Sequence, residues 1–232
     1  PIRFSSPPTI PLGSLILVTG VNGLIASHVA DQLLFAGYRV RGSVRNAARA
    51  SWLNPLFDSR HGPGRFDLVE VPDLAAPGAW AVALKDNVAG VASVAGSVNL
   101  HLADRDVDVE VQQELRAFFN LLDAAKAHPS VKSVAFNSSF WAAVTPEAGV
   151  HETVTEDTWN EKALRTTADQ TLSAQEKGIA PFMAVKVKVE RAVWDWVARE
   201  KPGFTLNAML VDTVIGPILD PKNQAGSTVG ML

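Results

Sequence analysis

Residues 18–26 read VTGVNGLIA, and they stand where a short apolar run, LILVTG (15–20), gives way to NGLIASHVADQLLFAG (22–37). The run has no polar alternation, the pattern of a strand buried on both faces of a parallel sheet. In the segment that follows, Ile25, Val29, Leu33 and Leu34 recur on one helical face, and Gly37 marks the stop. Glycines at 20 and 23 let the chain turn tightly and bring backbone N–H groups close to a pyrophosphate. The small Ala26 lets the helix pack against the strand, and the helix N-terminus favours the anion. The spacing is G-x-x-G-x-x-A, one residue longer in its first gap than the G-x-G-x-x-G fingerprint. Glycines also mark plain turns, but a strand, this loop, a helix and a second strand in succession favour the nucleotide reading. Gly20, Asn22, Gly23, Leu24 and Ile25 are therefore candidate cofactor contacts.

Outward from this loop the pattern repeats. YRVRGSVR (38–45), RFDLVEVPDL (65–74), VAGVASVAG (88–96), VKSVAFNSS (131–139) and FTLNAMLVDTVIG (204–216) read as strands. VEVQQELRAFFNLLDAAKAH (109–128) and PFMAVKVKVERAVWDWVAREKPG (181–203) read as long helices. Strands alternating with helices predict an α/β fold, a doubly wound parallel Rossmann sheet, over residues 15–220. Residues 1–14, with four prolines, read as an extended arm. The stretch 145–180 is polar and too long for a simple connection, so it and 216–232 are expected to belong to a substrate-binding region.

The second strand bears on which nucleotide is bound. NAD-preferring sites place a carboxylate about twenty residues past the loop. Here VRGSVRNAAR has none and carries Arg41, Arg45 and Arg49 instead, with Arg45 the best candidate to neutralise a 2′-phosphate. The expectation is NADP(H). Asp73 and Leu74, after the third strand, are placed near an adenine, while Asp73 is equally suited to cap a turn.

The 232 residues are 47% hydrophobic and 19% charged, with a net charge of −3 and dispersed basic residues. No concentrated basic face for nucleic acid follows from that. There is no cysteine, which excludes thiolate chemistry, and the five histidines show no metal-ligand spacing. No apolar run reaches the ~20 residues of a membrane span. The first residues lack the charged and apolar regions of a secretory signal, so a cytoplasmic location is expected.

From VTGVNGLIASHVADQLLFAGYRVRGSVR through PGRF, HPSVKSVAFNSS, TEDTWN, FTLNAML and IGPILDPKNQAGSTVG, nearly the whole chain resembles the extended short-chain dehydrogenase/reductases. The similarity is to the fungal NADPH-dependent aldehyde (carbonyl) reductases and the plant dihydroflavonol and cinnamoyl-CoA reductases. That resemblance implies hydride transfer between NADP(H) and a small carbonyl or alcohol substrate. It implies a serine that donates a hydrogen bond to the carbonyl oxygen, a tyrosine acid, a lysine that tunes the tyrosine and holds the ribose, and a supporting asparagine. Carried over by position, the serine is Ser139 (Ser138 the alternative), the asparagine Asn120 and the lysine Lys186. The tyrosine position is Phe182, and the sole tyrosine, Tyr38, begins the second strand.

Phenylalanine keeps the ring and loses the proton, and a positioned general acid is worth ~10²–10⁴ in rate. LRAFF before Asn120 and Val211-Asp212 after the sixth strand also depart from the family pattern. The sequence ends at GSTVGML, where extended members continue, so a reduced substrate domain is expected. Three functions stay open: a carbonyl reductase, a redox-silent NADP-binding pseudoenzyme, and a redox-neutral isomerase, dehydratase or cyclase. The resemblance further implies a homodimer through helices 109–128 and 181–201, with Phe118, Phe119, Trp194 and Trp196 offering apolar area.

Overall fold

The computed structural model of the chain describes residues 7–96 and 106–224. Residues 1–6 of the expected arm and 225–232 of the expected substrate-binding region lie outside the described residues, as does His101. Six parallel strands form one sheet: β1 (Leu15–Thr19), β2 (Arg39–Val44), β3 (Phe66–Glu70), β4 (Gly90–Ser93), β5 (Ser133–Ser139) and β6 (Thr205–Val211). Their spatial order is β3-β2-β1-β4-β5-β6, two halves that diverge from β1 and β4. The order reverses there, and the crevice outside the carboxyl ends at that point is where such sheets bind ligands.

Both faces of β1 are covered, which is why its run is apolar throughout. Leu15 and Leu17 join one core with α4 (Val107–Lys126) and α7 (Ala180–Glu200). Val18 joins the other with α1 (Leu24–Phe35) and α3 (Leu53–His61). Alternate residues of a strand point to opposite faces, so one five-residue strand serves two cores. Side chains as large as Phe57 and Trp80 are buried, 1% and 2% exposed. Burying an aromatic of that size contributes ~1.5–3 kcal/mol.

The six strands and the helices α1, α4 and α7 lie where the sequence pattern predicts them, and the short helices do not follow from it. α2 (Ala47–Ala50) starts on Asn46, whose Oδ1 accepts from the Arg49 N–H at 2.9 Å. α3 contains Pro55, tolerated because a proline near the start of a helix removes no intrahelical hydrogen bond. The stretch 145–180 is not wholly irregular, since it holds α5 (Glu161–Ala168) and α6 (Ala174–Lys177). Asn160 caps α5 and Ser173 forms a capping box with Glu176. Between β3 and β4 the chain crosses in irregular turns that bury Trp80, Ala83 and Leu84.

β6 forms one edge of the sheet, with Met209 55% and Leu210 40% exposed. The aromatic area expected for a dimer contact is largely spent inside the chain. Phe118 is buried and stacks on Phe136 at 4.6 Å, and Trp196 is buried with its Nε1–H donating to Asp123 at 3.2 Å. Phe119 stacks on Trp196 at 6.4 Å, and Trp194 donates to Glu190. Among the described residues no helix is long and apolar enough to cross a membrane.

Candidate functional site

The β1–α1 turn is built by glycine at the two positions expected. Gly20 has φ +66°, a left-handed conformation that other residues adopt at a cost. A Cβ on it would stand 3.1 Å from Ala95 Cβ and 3.2 Å from Ala95 Cα. Ala95 is drawn in because Thr19 Oγ1 accepts the N–H groups of both Val94 and Ala95, at 2.9 and 2.8 Å. Gly23 is the N-cap residue of α1 and supplies no side-chain cap. The first amides of a helix have no intrahelical acceptor. No described residue receives one from Leu24 or Ile25, so the helix offers N–H groups and a positive dipole end with no acidic residue in the first turn.

Gln224 holds this turn from the far end of the chain. Its Nε2 donates to Ser27 Oγ at 2.8 Å and to the carbonyls of Asn22 and Gly23 at 3.2 and 3.4 Å. His28 Nε2 lies 2.7 Å from the Pro217 carbonyl. The segment after β6 therefore runs back to α1, closing one side of the crevice. A groove of about 510 Å³ lies between them, on Leu24, His28, Val214 and Ile215. Nothing in the local pattern around Gln224 announces this role, since its partners lie about 200 residues earlier.

The three arginines separate. Arg41 is committed to structure: Nε bonds Asp67 at 2.7 Å and an NH2 group bonds Asp86 at 2.9 Å. Burial works against its charge, but these two carboxylates outweigh it and hold the guanidinium above its ordinary value. It is therefore removed from the candidates for a 2′-phosphate. Arg45 is exposed at the end of β2 and makes no ion pair with any described residue. Arg49 is likewise exposed, on α2.

Asp73 caps a turn, Oδ1 accepting from the Ala75 N–H at 2.9 Å. Asn120 is engaged by the backbone of a neighbouring loop. Its Nδ2 donates to the carbonyls of Leu74 at 2.8 Å and Ala76 at 2.9 Å, so it ties the loop after β3 to α4. Its two donors are both spent on backbone, which leaves it a structural clamp on the Asp73–Leu74 loop. Asn120→Ala should cost about 2 kcal/mol of stability, two hydrogen bonds at about 1 each, visible as a lower denaturant midpoint at unchanged slope.

Ser138 and Ser139 point to opposite faces of β5. Ser138 is buried and donates to Glu190 Oε2 on α7, whose Oε1 accepts from Trp194 Nε1 at 3.3 Å. Ser139, in register with Val211, ends the strand and caps the single-turn helix 140–142 by accepting the Trp141 N–H at 3.3 Å. Its own hydroxyl proton goes to no described residue, so Ser139, and not Ser138, retains a donor. Trp141 meets the ring of Phe182 edge-on, at 5.6 Å and 89°. Capping by Ser139 thus brings the end of β5 against the first turns of α7.

Phe182 is buried, 6% exposed, and the Lys186 ammonium lies 5.2 Å from its ring centroid. An i, i+4 spacing puts them on one helical face as expected. Lys186 is not free. Both oxygens of Glu114 on α4 accept from Nζ, at 2.9 and 3.0 Å. Asp212 is exposed, bonded only by Thr213 within the described residues.

Three comparisons bear on this arrangement. The model of the NAD dependent epimerase/dehydratase family matches residues 16–229. The chain is 40% identical over 223 residues to the NAD-dependent epimerase/dehydratase terH of Aspergillus terreus, covering 96% of this chain and 64% of that protein. It is 38% identical over 224 residues to aldehyde reductase 2 of Sporidiobolus salmonicolor, again 96% and 64%. Among solved structures, Gre2 of Candida albicans in complex with NADPH superposes with a TM-score of 0.71 at 26% identity, over 88% of this chain and 59% of that one. The chain thus spans just under two thirds of these curated relatives.

Proposed function

The chain belongs to the NAD dependent epimerase/dehydratase family, among the extended short-chain dehydrogenase/reductases, and on that premise we propose that it is an NADP(H)-binding, aldehyde- or ketone-reductase-like oxidoreductase whose acid position is vacated by Phe182. The observation that carries the reading is the β1–α1 turn: two glycines, open N–H groups without a side-chain cap, and Arg45 exposed at the end of the neighbouring strand with no ion pair to a described residue. The residues present fit a dinucleotide, because a Cβ at Gly20 or Gly23 would narrow the cradle.

Gly20, Asn22, Gly23, Leu24 and Ile25 hold the pyrophosphate, Arg45 the 2′-phosphate, and the Asp73–Leu74 loop lies toward the adenine. When bound, NADP(H) supplies or accepts the hydride. Ser139 donates a hydrogen bond from its hydroxyl to the carbonyl oxygen as charge builds there. Lys186 binds the ribose. Phe182 has no proton to transfer, so protonation of the product oxygen falls to water, which makes turnover slow. That same vacancy favours a second reading, a protein that binds the dinucleotide with little turnover. Two copies pairing through α4 and α7 remain part of the proposal, using their exposed polar faces more than the aromatics now buried.

Titration of the chain with NADPH and NADH tests the cofactor. NADPH is expected to bind more tightly, and Arg45→Ala should weaken NADPH about tenfold, about 1.4 kcal/mol, while leaving NADH unchanged. Equal loss for both nucleotides would remove Arg45 from the 2′-phosphate. An aldehyde panel with NADPH consumption then separates slow reductase from silent binder.

A further inference from the structure

We propose that Glu114 is a positioning residue that competes with the bound nucleotide for Lys186, an inference that rests on the assignment of Lys186 to the ribose. Lys186 lies between two partners in this structure. The carboxylate of Glu114 takes two of its hydrogen bonds, at 2.9 and 3.0 Å, and the face of Phe182 lies 5.2 Å from Nζ. An ammonium has three donors and no acceptor, so one remains for anything else. The pair is mostly shielded, with side chains 16% and 19% exposed, and screening by solvent is correspondingly weak. A carboxylate at that distance also cancels most of the positive charge that Lys186 would present to the crevice.

Lys186 and Glu114 come from different elements, α7 and α4, separated by 72 residues, so the pairing is a product of helix packing and not of local sequence. Two other acids on α4 are engaged elsewhere, Asp108 with Lys188 and Asp123 with Trp196. Glu114 is a carboxylate that α4 brings to Lys186. A ribose hydroxyl approaching Lys186 must share the ammonium with Glu114 or take it over, and affinity for the nucleotide is reduced by what that exchange costs.

The test is a double-mutant cycle on NADPH binding, followed by tryptophan fluorescence, with Glu114→Gln, Lys186→Met and the double variant. Gln keeps the shape of Glu114 and removes its charge. Glu114→Gln is expected to tighten NADPH binding three- to tenfold, and Lys186→Met to weaken it. In the Lys186→Met background the Glu114→Gln gain should vanish, because the gain acts through the ammonium. An equal gain in both backgrounds would mean only that a negative charge near a polyanion was removed, and would overturn the proposal. So would unchanged or weaker binding by Glu114→Gln. Lys186→Gln repeats the cycle if Lys186→Met melts early in the absence of nucleotide. If the unaltered chain binds NADPH but Lys186→Met binds equally well, the ribose assignment falls and the proposal with it. If neither the chain nor any variant binds, the cofactor reading itself has failed.

Discussion

Replacing Phe182 by Tyr is expected to raise NADPH-dependent reduction of an aldehyde by about 10²–10⁴-fold, roughly 3–5 kcal/mol of barrier. The magnitude is that of one positioned general acid, and the structure gives reasons to expect it here. The substitution adds a single oxygen to a buried ring on the face of α7 that carries Lys186, one turn before it. The ring is oriented by an edge contact with Trp141, and Trp141 is itself held by Ser139. The new hydroxyl therefore arrives on a framework already connected to Ser139. Lys186, 5.2 Å from the ring centroid, supplies a cation that favours phenolate over phenol to the extent that Glu114 leaves its charge uncompensated. The measurement is steady-state NADPH consumption for the chain and for Phe182→Tyr at matched nucleotide saturation. Equal rates would show that the acid is not the missing element, and would return attention to the pocket. A rate gain confined to kcat, with NADPH affinity unchanged, is the expected signature of an interaction made only in the transition state.

The second large effect is on folding. Gly42→Ala should cost about 3 kcal/mol and lower the melting temperature by roughly 6–12 °C. A Cβ at Gly42 would stand 2.4 Å from Val21 Cγ1, 2.8 Å from Val21 Cβ and 3.1 Å from the Phe66 ring. All three are buried, and β2 is an interior strand between β1 and β3, so neither side can retreat without moving a core. Val21 is the residue after Gly20, and its N–H donates to the Ser43 carbonyl at 3.1 Å. Pushing Val21 outward lifts the nucleotide turn from β2, so weaker NADPH binding should accompany the lost stability. Gly13→Ala is the control: its Cβ would meet nothing within 4 Å, although its φ of +82° still imposes backbone strain. A melting temperature for Gly42→Ala equal to that of the unaltered chain would contradict the packing argument.

Much of the fold was legible because its signals are local. An apolar run five residues long, glycines three apart and a helical stripe each depend on neighbours in sequence. The short helices α2, α3, α5 and α6 escaped because four to nine residues hold too few turns for periodicity to show. The stripe Phe182, Lys186 and Glu190 on α7 follows from a spacing of four. What each of those side chains meets does not follow from it. Lys186 went to Glu114, Glu190 to Ser138, and Phe182 to Trp141.

The same division runs through the candidate site. From its residues the chain determines a parallel α/β sheet, a glycine turn where a strand enters a helix, and a phenylalanine where the resemblance calls for a tyrosine. Each is a statement about residue type at a position, and backbone geometry converts it directly into local structure. Only the tertiary structure decided that Asn120 clamps a loop, that Arg41 is consumed by Asp67 and Asp86 while Arg45 pairs with no described carboxylate, and that Gln224 closes on the β1–α1 turn. Those outcomes are competitions among polar groups for partners far apart in the chain. They are settled by which helices and loops pack together, because a buried donor or charge goes to the acceptor that packing brings within about 3 Å.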